Sequence, residues 1–211
     1  MRAGILLALA VAGCGTNRPE IPPELLAPAE SCDTAVYPPG PYGVDAESTA
    51  QNFCFRGWTR PDTTAHTPTS LEELAFSTFH DETGERYELL LVNSAAVWCS
   101  VCQSEHRDLP ARHEEFGPRG LVIFSALFQD ARAEPAKFDD LKVWVETFDT
   151  PFPMVLDPAF QLGAYASPET APLNLLIDAR TMQILQKYVG DQSTLLWDFV
   201  ETELSRREAA E

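Results

Sequence analysis

Two largely apolar runs lie on either side of a helical segment in the middle of the chain. Residues 87–94 and 121–128 lack the alternation of polar and apolar positions, which is typical of strands buried on both faces of a sheet. Between them, residues 99–116 have the length of a helix, and Gly117 and Pro118 follow at its end. The order strand, helix, strand predicts a parallel βαβ unit.

A short helix is predicted on the N-terminal side of this unit. Ser70 followed three residues later by Glu73 has the form of a capping box. Leu71, Leu74 and Ala75 then fall on one helical face. The pattern therefore predicts a helix that begins at Ser70.

The segment after the βαβ unit is predicted to continue with a helix and a short strand. A helix opens at Glu134 and Pro135, because proline is favoured in the first helical turn. Residues 154–156 predict a strand and residues 159–165 one or two helical turns.

The C-terminal part is predicted to form a hairpin and a closing helix. Residues 173–177 and 183–189 are strand-like on both sides of a turn, and residues 193–207 are amphipathic. The two helices after the βαβ unit are expected to bury Phe138, Leu141, Val145 and Phe148 in the first and Leu195, Leu196, Phe199, Val200 and Leu204 in the second. A parallel βαβ unit followed by a hairpin and a helix predicts an α/β fold, with one mixed central sheet flanked by helices.

The N-terminal region differs in composition from the rest of the chain. Residues 1–13 contain Arg2 and a short apolar run, as an export signal does, and the run is too short to span a bilayer. The segment Val11-Ala12-Gly13-Cys14 resembles the lipobox of bacterial lipoproteins, which implies cleavage before Cys14 and acylation of that residue. Residues 14–45 are rich in proline and predict a tether, and residues 46–211 the folded domain.

Acidic residues outnumber basic residues 32 to 15, which gives a formal net charge of -17. No cluster of lysine and arginine interrupts this balance, so nucleic-acid binding is not expected. The composition is that of a soluble, self-repelling surface, and steering towards basic partner proteins is the alternative.

Four cysteines remain after Cys14, and this even number predicts two bridges in an oxidising compartment. Cys99 and Cys102 are close enough to pair with each other, which leaves Cys32 with Cys54 as a structural disulfide. The competing interpretation is that the latter two cysteines are free.

Cys99 and Cys102 stand at the junction of the first predicted strand and its helix. The N-terminus of a helix presents free N–H groups and a positive dipole end, so the Cys99 thiolate would be stabilised and Cys102 would lie one turn further in. A zinc site is the alternative for Cys-x-x-Cys, but it needs two more ligands, and neither a second such pair nor a His-x-x-x-His pair occurs. His66, His80, His106 and His113 are expected at the surface.

The segment from Leu91 to Glu105, with Trp98-Cys99-Ser100-Val101-Cys102 at its centre, resembles the active site of thioredoxin-like proteins, and among them the exported TlpA/ResA branch. The resemblance implies a thioredoxin-like fold, with an extra strand-helix insertion around residues 153–165. No metal or other cofactor is expected beyond the redox-active disulfide. Protein disulfides are the expected substrates, and a membrane electron donor the expected reductant.

The same resemblance assigns roles to individual residues. Glu105 would accept the proton of Cys102, since Asn93 stands where cytosolic thioredoxins carry a titrating aspartate; a solvent-facing glutamate is the alternative. Pro172 would be the cis-proline that places the Ala171 backbone beside Cys99, and a trans proline is the alternative.

Trp98 would offer an apolar surface to the substrate, or else pack in the core. The dipeptide Ser100-Val101 departs from the Gly-Pro and Pro-Pro of the relatives, which leaves the direction of electron flow open.

These features predict a lipid-anchored thiol-disulfide oxidoreductase that faces the periplasm or outer surface of a bacterial envelope and acts as a reductase. A peroxidase is the first alternative, although Ala96 stands where such enzymes carry threonine three residues before the reactive cysteine. A copper chaperone is the second alternative, although such proteins use Cys-x-x-x-Cys and a distant downstream histidine, and this sequence has neither.

Overall fold

The computed structural model describes residues 37–210. Within this range, seven strands form one mixed sheet in the order β2-β1-β5-β4-β3-β6-β7. The strands are β1 (Cys54–Trp58), β2 (Glu72–Ala75), β3 (Leu89–Ala96), β4 (Leu121–Gln129), β5 (Met154–Leu156), β6 (Leu173–Asp178) and β7 (Ile184–Val189). The helices are α1 (Ser100–Phe116), α2 (Phe138–Thr147) and α3 (Ser193–Glu208). The predicted α/β fold with a mixed central sheet is confirmed.

The predicted βαβ unit consists of β3, α1 and β4. The two strands run parallel in a register that sets Leu89 opposite Leu121 and Asn93 opposite Ser125. Every residue of β3 is buried, as expected of a strand covered on both faces. Strand β5 extends the parallel part of the sheet beyond β4, and β6 pairs antiparallel with the other side of β3.

The core divides into apolar clusters on the two faces of the sheet. The face towards the helices packs Leu91 and Ile123 of the sheet against Leu109 of α1 and Trp197 of α3. The opposite face is rich in aromatic rings from outside the helices, and these include Phe53, Phe76, Phe79 and Tyr165. Cys99 and Cys102 lie at the end of the sheet near α2, in a third cluster that includes Trp144 and Phe148.

The prediction of a helix that begins at Ser70 is wrong. Residues Pro68–Ser70 form a single 3-10 turn, and the chain then enters β2, where Leu74 and Ala75 pair antiparallel with β1. Ser70 Oγ accepts a hydrogen bond from Trp58 Nε1 at 2.8 Å, so this side chain serves a tertiary contact. Pairing with β1 buries Leu74 without any helix, and tertiary contacts outweigh the local capping pattern.

Two details of the later helices also differ from the prediction. Helix α2 begins at Phe138, because Glu134 and Pro135 first pair with the end of β4, where Asp130 N–H donates to Glu134 O at 2.8 Å. On α3, Leu195 is 59% exposed and Phe199 is only partly buried. Leu196 begins the buried stripe, and Leu195 lies about 100° away from it around the helix.

The remaining predicted elements are present. Strand β5 is followed by a 3-10 helix, Gln161–Ala164, at the place of the expected insertion, and β6 and β7 form the hairpin. Part of the predicted tether packs on the domain, since Tyr37 is buried and its hydroxyl donates to Ala50 O at 2.8 Å. The proposed signal, Cys14 and Cys32 lie outside the described residues.

Candidate active site

The turn between β3 and α1 brings the two cysteines together. Cys99 is the N-cap residue of α1, and its Sγ accepts a hydrogen bond from the Cys102 N–H at 3.1 Å. The Cys99 N–H donates to Ala96 O, also at 3.1 Å, which fixes the turn to the end of β3. The two sulfurs form a disulfide, so the structure shows the oxidised form of the predicted pair.

The two sulfurs differ in their surroundings. Cys102 is fully buried, whereas Cys99 retains 4% of its surface and lies next to the exposed Trp98. After reduction, a thiolate on Cys99 would lie at the positive end of the α1 dipole, within reach of the Cys102 N–H. The arrangement therefore favours Cys99 as the attacking sulfur and Cys102 as the resolving one.

The loop before β6 lies directly against Cys99. The peptide bond between Ala171 and Pro172 is cis, as predicted, and the Ala171 carbonyl oxygen is 3.7 Å from Cys99 Sγ. Ala171 is partly exposed and Pro172 is buried. The Ala171 N–H donates to Pro168 O at 3.2 Å, so the Ala171 carbonyl oxygen beside the sulfur is the group suited to accept a hydrogen bond from an extended peptide.

Trp98 borders the same site. Its ring is 40% exposed, and Nε1 donates to Gln129 Oε1 at 2.9 Å. The alternative that this is a core tryptophan is therefore wrong. The exposed ring provides an apolar surface immediately before Cys99.

Glu105 is buried one helical turn after Cys102, which excludes the solvent-facing alternative. Its Oε1 accepts a hydrogen bond from Asn174 Nδ2 at 2.6 Å and its Oε2 one from Asn93 Nδ2 at 2.8 Å. Burial raises the pKa of Glu105 to about 7, against these two hydrogen bonds, and the charges of Asp191 and Asp108 raise it further. A carboxyl group that ionises near neutral pH is suited to accept and release a proton.

Asn93, Ser125 and Asn174 lie side by side on three adjacent strands. The register pairs Asn93 of β3 with Ser125 of β4 and with Asn174 of β6. Ser125 Oγ donates to Asn93 Oδ1 at 2.8 Å, and Asn93 Nδ2 donates to Asn174 Oδ1 at 2.9 Å. Ser125 and Asn174 were not predicted as site residues; the only signal in the sequence is that each interrupts an apolar strand.

The surface position expected for His106 is wrong. Its ring is fully buried between α1 and the sheet, with Nδ1 3.1 Å from the Cys102 carbonyl oxygen and Nε2 3.0 Å from Ser125 Oγ. Burial lowers the pKa of His106 to about 4, although the contact with the Cys102 carbonyl opposes this shift. The spacing of Cys102, His106 and Leu109 on one helical face indicates burial and could have revealed it.

Cys54 is disulfide-bonded, but its predicted partner Cys32 lies outside the described residues, so that pairing stays a prediction. Across residues 37–210, no group of three or more His, Cys, Asp or Glu side chains is placed to hold a metal ion. In the same range, no helix has both the length and the apolar character needed to cross a bilayer.

The fold and the site together define a thioredoxin-like domain with a disulfide at the N-terminus of its first long helix. Solved structures of similar fold include the thioredoxin domain of a thiol-disulfide oxidoreductase from Bacteroides vulgatus, with a TM-score of 0.54 and 18% identity over 75% of this chain and 99% of that one. Another is a thioredoxin-family thiol:disulfide interchange protein from Chlorobium tepidum, with a TM-score of 0.54 and 17% identity over 76% and 98%.

The chain belongs to the AhpC/TSA family, which residues 60–185 match. The thiol:disulfide interchange protein DsbE of Vibrio cholerae is 30% identical over 60% of this chain and 64% of its own length. The DsbE protein of Pseudomonas fluorescens is also 30% identical, over 51% of this chain and 54% of its own length. The chain thus spans between about half and two thirds of the length of these relatives.

Proposed function

We propose that this protein is a thiol-disulfide oxidoreductase that exchanges disulfides with partner proteins through Cys99 and Cys102. The observation that carries the proposal is the disulfide at the start of α1, with Cys102 buried and Cys99 beside the Ala171 backbone. The DsbE relatives, which are named as thiol:disulfide interchange proteins, support the same activity.

In the first step, the thiolate of reduced Cys99 attacks one sulfur of a substrate disulfide. A bond forms between Cys99 Sγ and that sulfur, the substrate S–S bond breaks, and the second substrate sulfur leaves as a thiolate. The Ala171 backbone holds the substrate chain in an extended form, and Trp98 contacts its apolar side chains.

In the second step, Cys102 releases the substrate. The Cys102 thiol passes its proton to the Glu105 carboxylate, and the new thiolate attacks Cys99 Sγ. The bond between Cys99 and the substrate breaks, the Cys99–Cys102 disulfide forms, and the substrate leaves reduced by two electrons. The protein returns to its dithiol form by accepting two electrons from a membrane-bound thiol donor.

We also propose a direction of electron flow: the protein reduces the disulfides of its partners and so acts as a reductase. Of the two residues between the cysteines, Ser100 is exposed and Val101 is partly buried. Equilibration of the Cys99–Cys102 couple with glutathione gives its reduction potential. A value near that of thioredoxin, about -270 mV, supports a reductase, and a value near that of DsbA, about -120 mV, contradicts it.

The proposed location is the bacterial envelope, with Cys14 lipidated and the domain facing the periplasm or the outer surface. The lipobox-like sequence before Cys14 supports this, and a protein of similar fold is the exposed lipoprotein thioredoxin of Streptococcus pneumoniae, with a TM-score of 0.53 and 17% identity over 72% of this chain and 99% of that one. Incorporation of labelled palmitate tests the proposal. The wild type should be labelled and a Cys14→Ser variant should not, and equal labelling of both contradicts the lipid anchor.

The activity itself is tested with the two cysteine variants. Cys99→Ser should abolish the reduction of a protein disulfide such as insulin. Cys102→Ser should retain the first attack and accumulate the mixed disulfide, because nothing resolves it. Insulin turbidity and non-reducing electrophoresis measure the two effects. Full activity of Cys99→Ser, or no mixed disulfide with Cys102→Ser, would show that the chain does not work in this way.

A further inference from the structure

The buried polar groups beneath the active site form one connected network of hydrogen bonds. It runs from Glu105 through Asn93 and Ser125 to His106, whose Nδ1 faces the Cys102 carbonyl oxygen. This network has fewer hydrogen atoms to donate than acceptors that need one, whereas buried polar groups in proteins are normally all paired.

At the Glu105 end of this network, Asn93 has no hydrogen to spare. Asn93 Nδ2 has two hydrogens, and both are used, one for Glu105 Oε2 and one for Asn174 Oδ1. Asn93 Oδ1 therefore needs a donor of its own, and Ser125 Oγ lies 2.8 Å from it. A serine hydroxyl has a single hydrogen to donate.

At the other end of the network, His106 needs the same Ser125 hydroxyl. The Cys102 carbonyl oxygen can only accept, so the proton of a neutral His106 ring belongs on Nδ1, 3.1 Å away. Nε2 is then an acceptor, and Ser125 Oγ lies 3.0 Å from it. While His106 is neutral, Asn93 Oδ1 and His106 Nε2 both need the one Ser125 hydrogen.

We propose that His106 is a positioning residue that competes with Asn93 for the Ser125 hydroxyl hydrogen and so sets how firmly Asn93 holds the Glu105 carboxylate. When the hydroxyl donates to Asn93, the amide is anchored with its two N–H groups towards Glu105 and Asn174. When the hydroxyl donates to His106, Asn93 Oδ1 loses its donor and the amide is less firmly oriented. The inference rests on the proposed function, in which Glu105 accepts the proton of Cys102.

On the side of Glu105 that faces the sheet, the contact that can change is the hydrogen bond from Asn93, because Asn93 is linked through Ser125 to His106. On its own helix Glu105 is influenced by Asp108, and from the segment before α3 by Asp191, both of which are exposed. Around His106, the α2 side chains are the aromatic rings of Trp144 and Phe148, at ring-centroid distances of 4.9 and 5.8 Å. The low pKa of His106 keeps the ring neutral at neutral pH, where the competition operates.

The proposal predicts shifts of opposite sign for two substitutions. His106→Leu removes the competitor, so Asn93 always receives the Ser125 hydrogen, and the titration midpoint of Glu105 should fall. Ser125→Ala removes the donor altogether, so the midpoint should rise. Each shift should be about 0.5 to 1 pH unit, the size expected for one buried hydrogen bond. In a Ser125→Ala background, adding His106→Leu should shift the midpoint no further, because His106 acts only through Ser125.

The titration is followed by ¹³C NMR of the Glu105 side-chain carboxyl in the oxidised protein, with Glu105→Gln to assign the signal. Neither cysteine titrates in this form, so the measurement is independent of activity, and a failure of the proposed function would show instead in the cysteine variants. His113→Leu, on the same helix two turns away, is the control and should cause no shift.

An unchanged midpoint in His106→Leu overturns the proposal, as does an equal shift in the presence and absence of Ser125. If His106→Leu does not fold, Ser125→Ala alone decides, because an unchanged or lowered midpoint in that variant also contradicts the competition.

Discussion

The carbonyl oxygen of Ala171 lies 3.7 Å from Sγ of Cys99, although the two residues are 72 positions apart in the chain. A substrate sulfur that approaches Cys99 must therefore pass alongside the backbone that precedes β6. Trp98 borders the same approach with 40% of its surface exposed. In the proposed function, substrate binding and sulfur chemistry thus share one small surface.

Trp98→Ala should weaken substrate binding more than it changes the chemical step. In the proposed function the exposed ring contacts the substrate, and it donates a hydrogen bond to Gln129, so its loss should raise KM about three- to tenfold and leave kcat nearly unchanged. Steady-state reduction of a protein disulfide measures both constants. Leu195→Ala is the control, since Leu195 is 59% exposed on α3 and should leave both constants as they are. A lower kcat at constant KM would contradict the binding role.

Glu105→Gln should slow the release of the substrate and change its pH dependence. As a base, Glu105 must be ionised, so the wild-type rate should rise with pH through the Glu105 pKa of about 7. In the variant this rise should be absent and the rate at pH 8 should be about a hundredfold lower. Rapid mixing of a preformed mixed disulfide isolates the step. Glu114→Gln, an exposed carboxylate of the same helix, should behave as the wild type.

Much of this site could be predicted because it depends on local sequence. The apolar runs of β3 and β4 and the helix between them fix the βαβ unit, and Cys99 falls at the strand-to-helix junction from spacing alone. Glu105 follows from its distance of one turn from Cys102. In each case the information lies within a few residues of the feature.

The rest depends on contacts between distant segments. Strands β1 and β2 were not predicted, because β2 exists only through its pairing with β1, and Ser70 contacts Trp58 across the same pair. The row of Asn93, Ser125 and Asn174 depends on the register of three strands, which a local pattern does not contain.

Between about pH 5 and 6, Glu105 and His106 should contribute opposite slopes to the stability of the oxidised protein, and Asp157, whose pKa burial raises to about 6, adds a slope of the same sign as Glu105. Burial raises the pKa of Glu105 from 4.5 to about 7, so the folded state binds this proton more tightly and stability falls as pH rises through that window. Burial lowers the pKa of His106 from 6.5 to about 4, so the unfolded state binds that proton more tightly and stability falls as pH drops. Each slope is about 1.4 kcal/mol per pH unit, with opposite signs.

Relative to wild type, Glu105→Gln should therefore make the change of stability with pH more positive by about 1.4 kcal/mol per unit from pH 5 to 6. His106→Leu should make it more negative than in wild type by a similar amount. Urea denaturation of the oxidised protein at pH 5, 5.5 and 6 measures both, and Glu114→Gln is the control. Identical slopes in the two variants would show that these groups are not buried as described.

Arg207→Leu should destabilise the fold without changing the redox chemistry. Arg207 of α3 donates to Glu88 Oε2 at 3.0 Å and to Asp178 Oδ2 at 2.6 Å, and all three side chains are largely buried. Its removal leaves Glu88 with its ion pair to Arg180 and takes from Asp178 the ion pair with Arg207, which should cost about 2 to 3 kcal/mol of unfolding free energy. Glu88 precedes β3 and Cys99 follows it, so the reduction potential should stay constant. Arg206→Leu, which removes an exposed ion pair with Glu203, is the control and should change stability little. Equal stability of the two variants, measured by urea denaturation, would contradict the role of Arg207 in fastening α3 to the sheet.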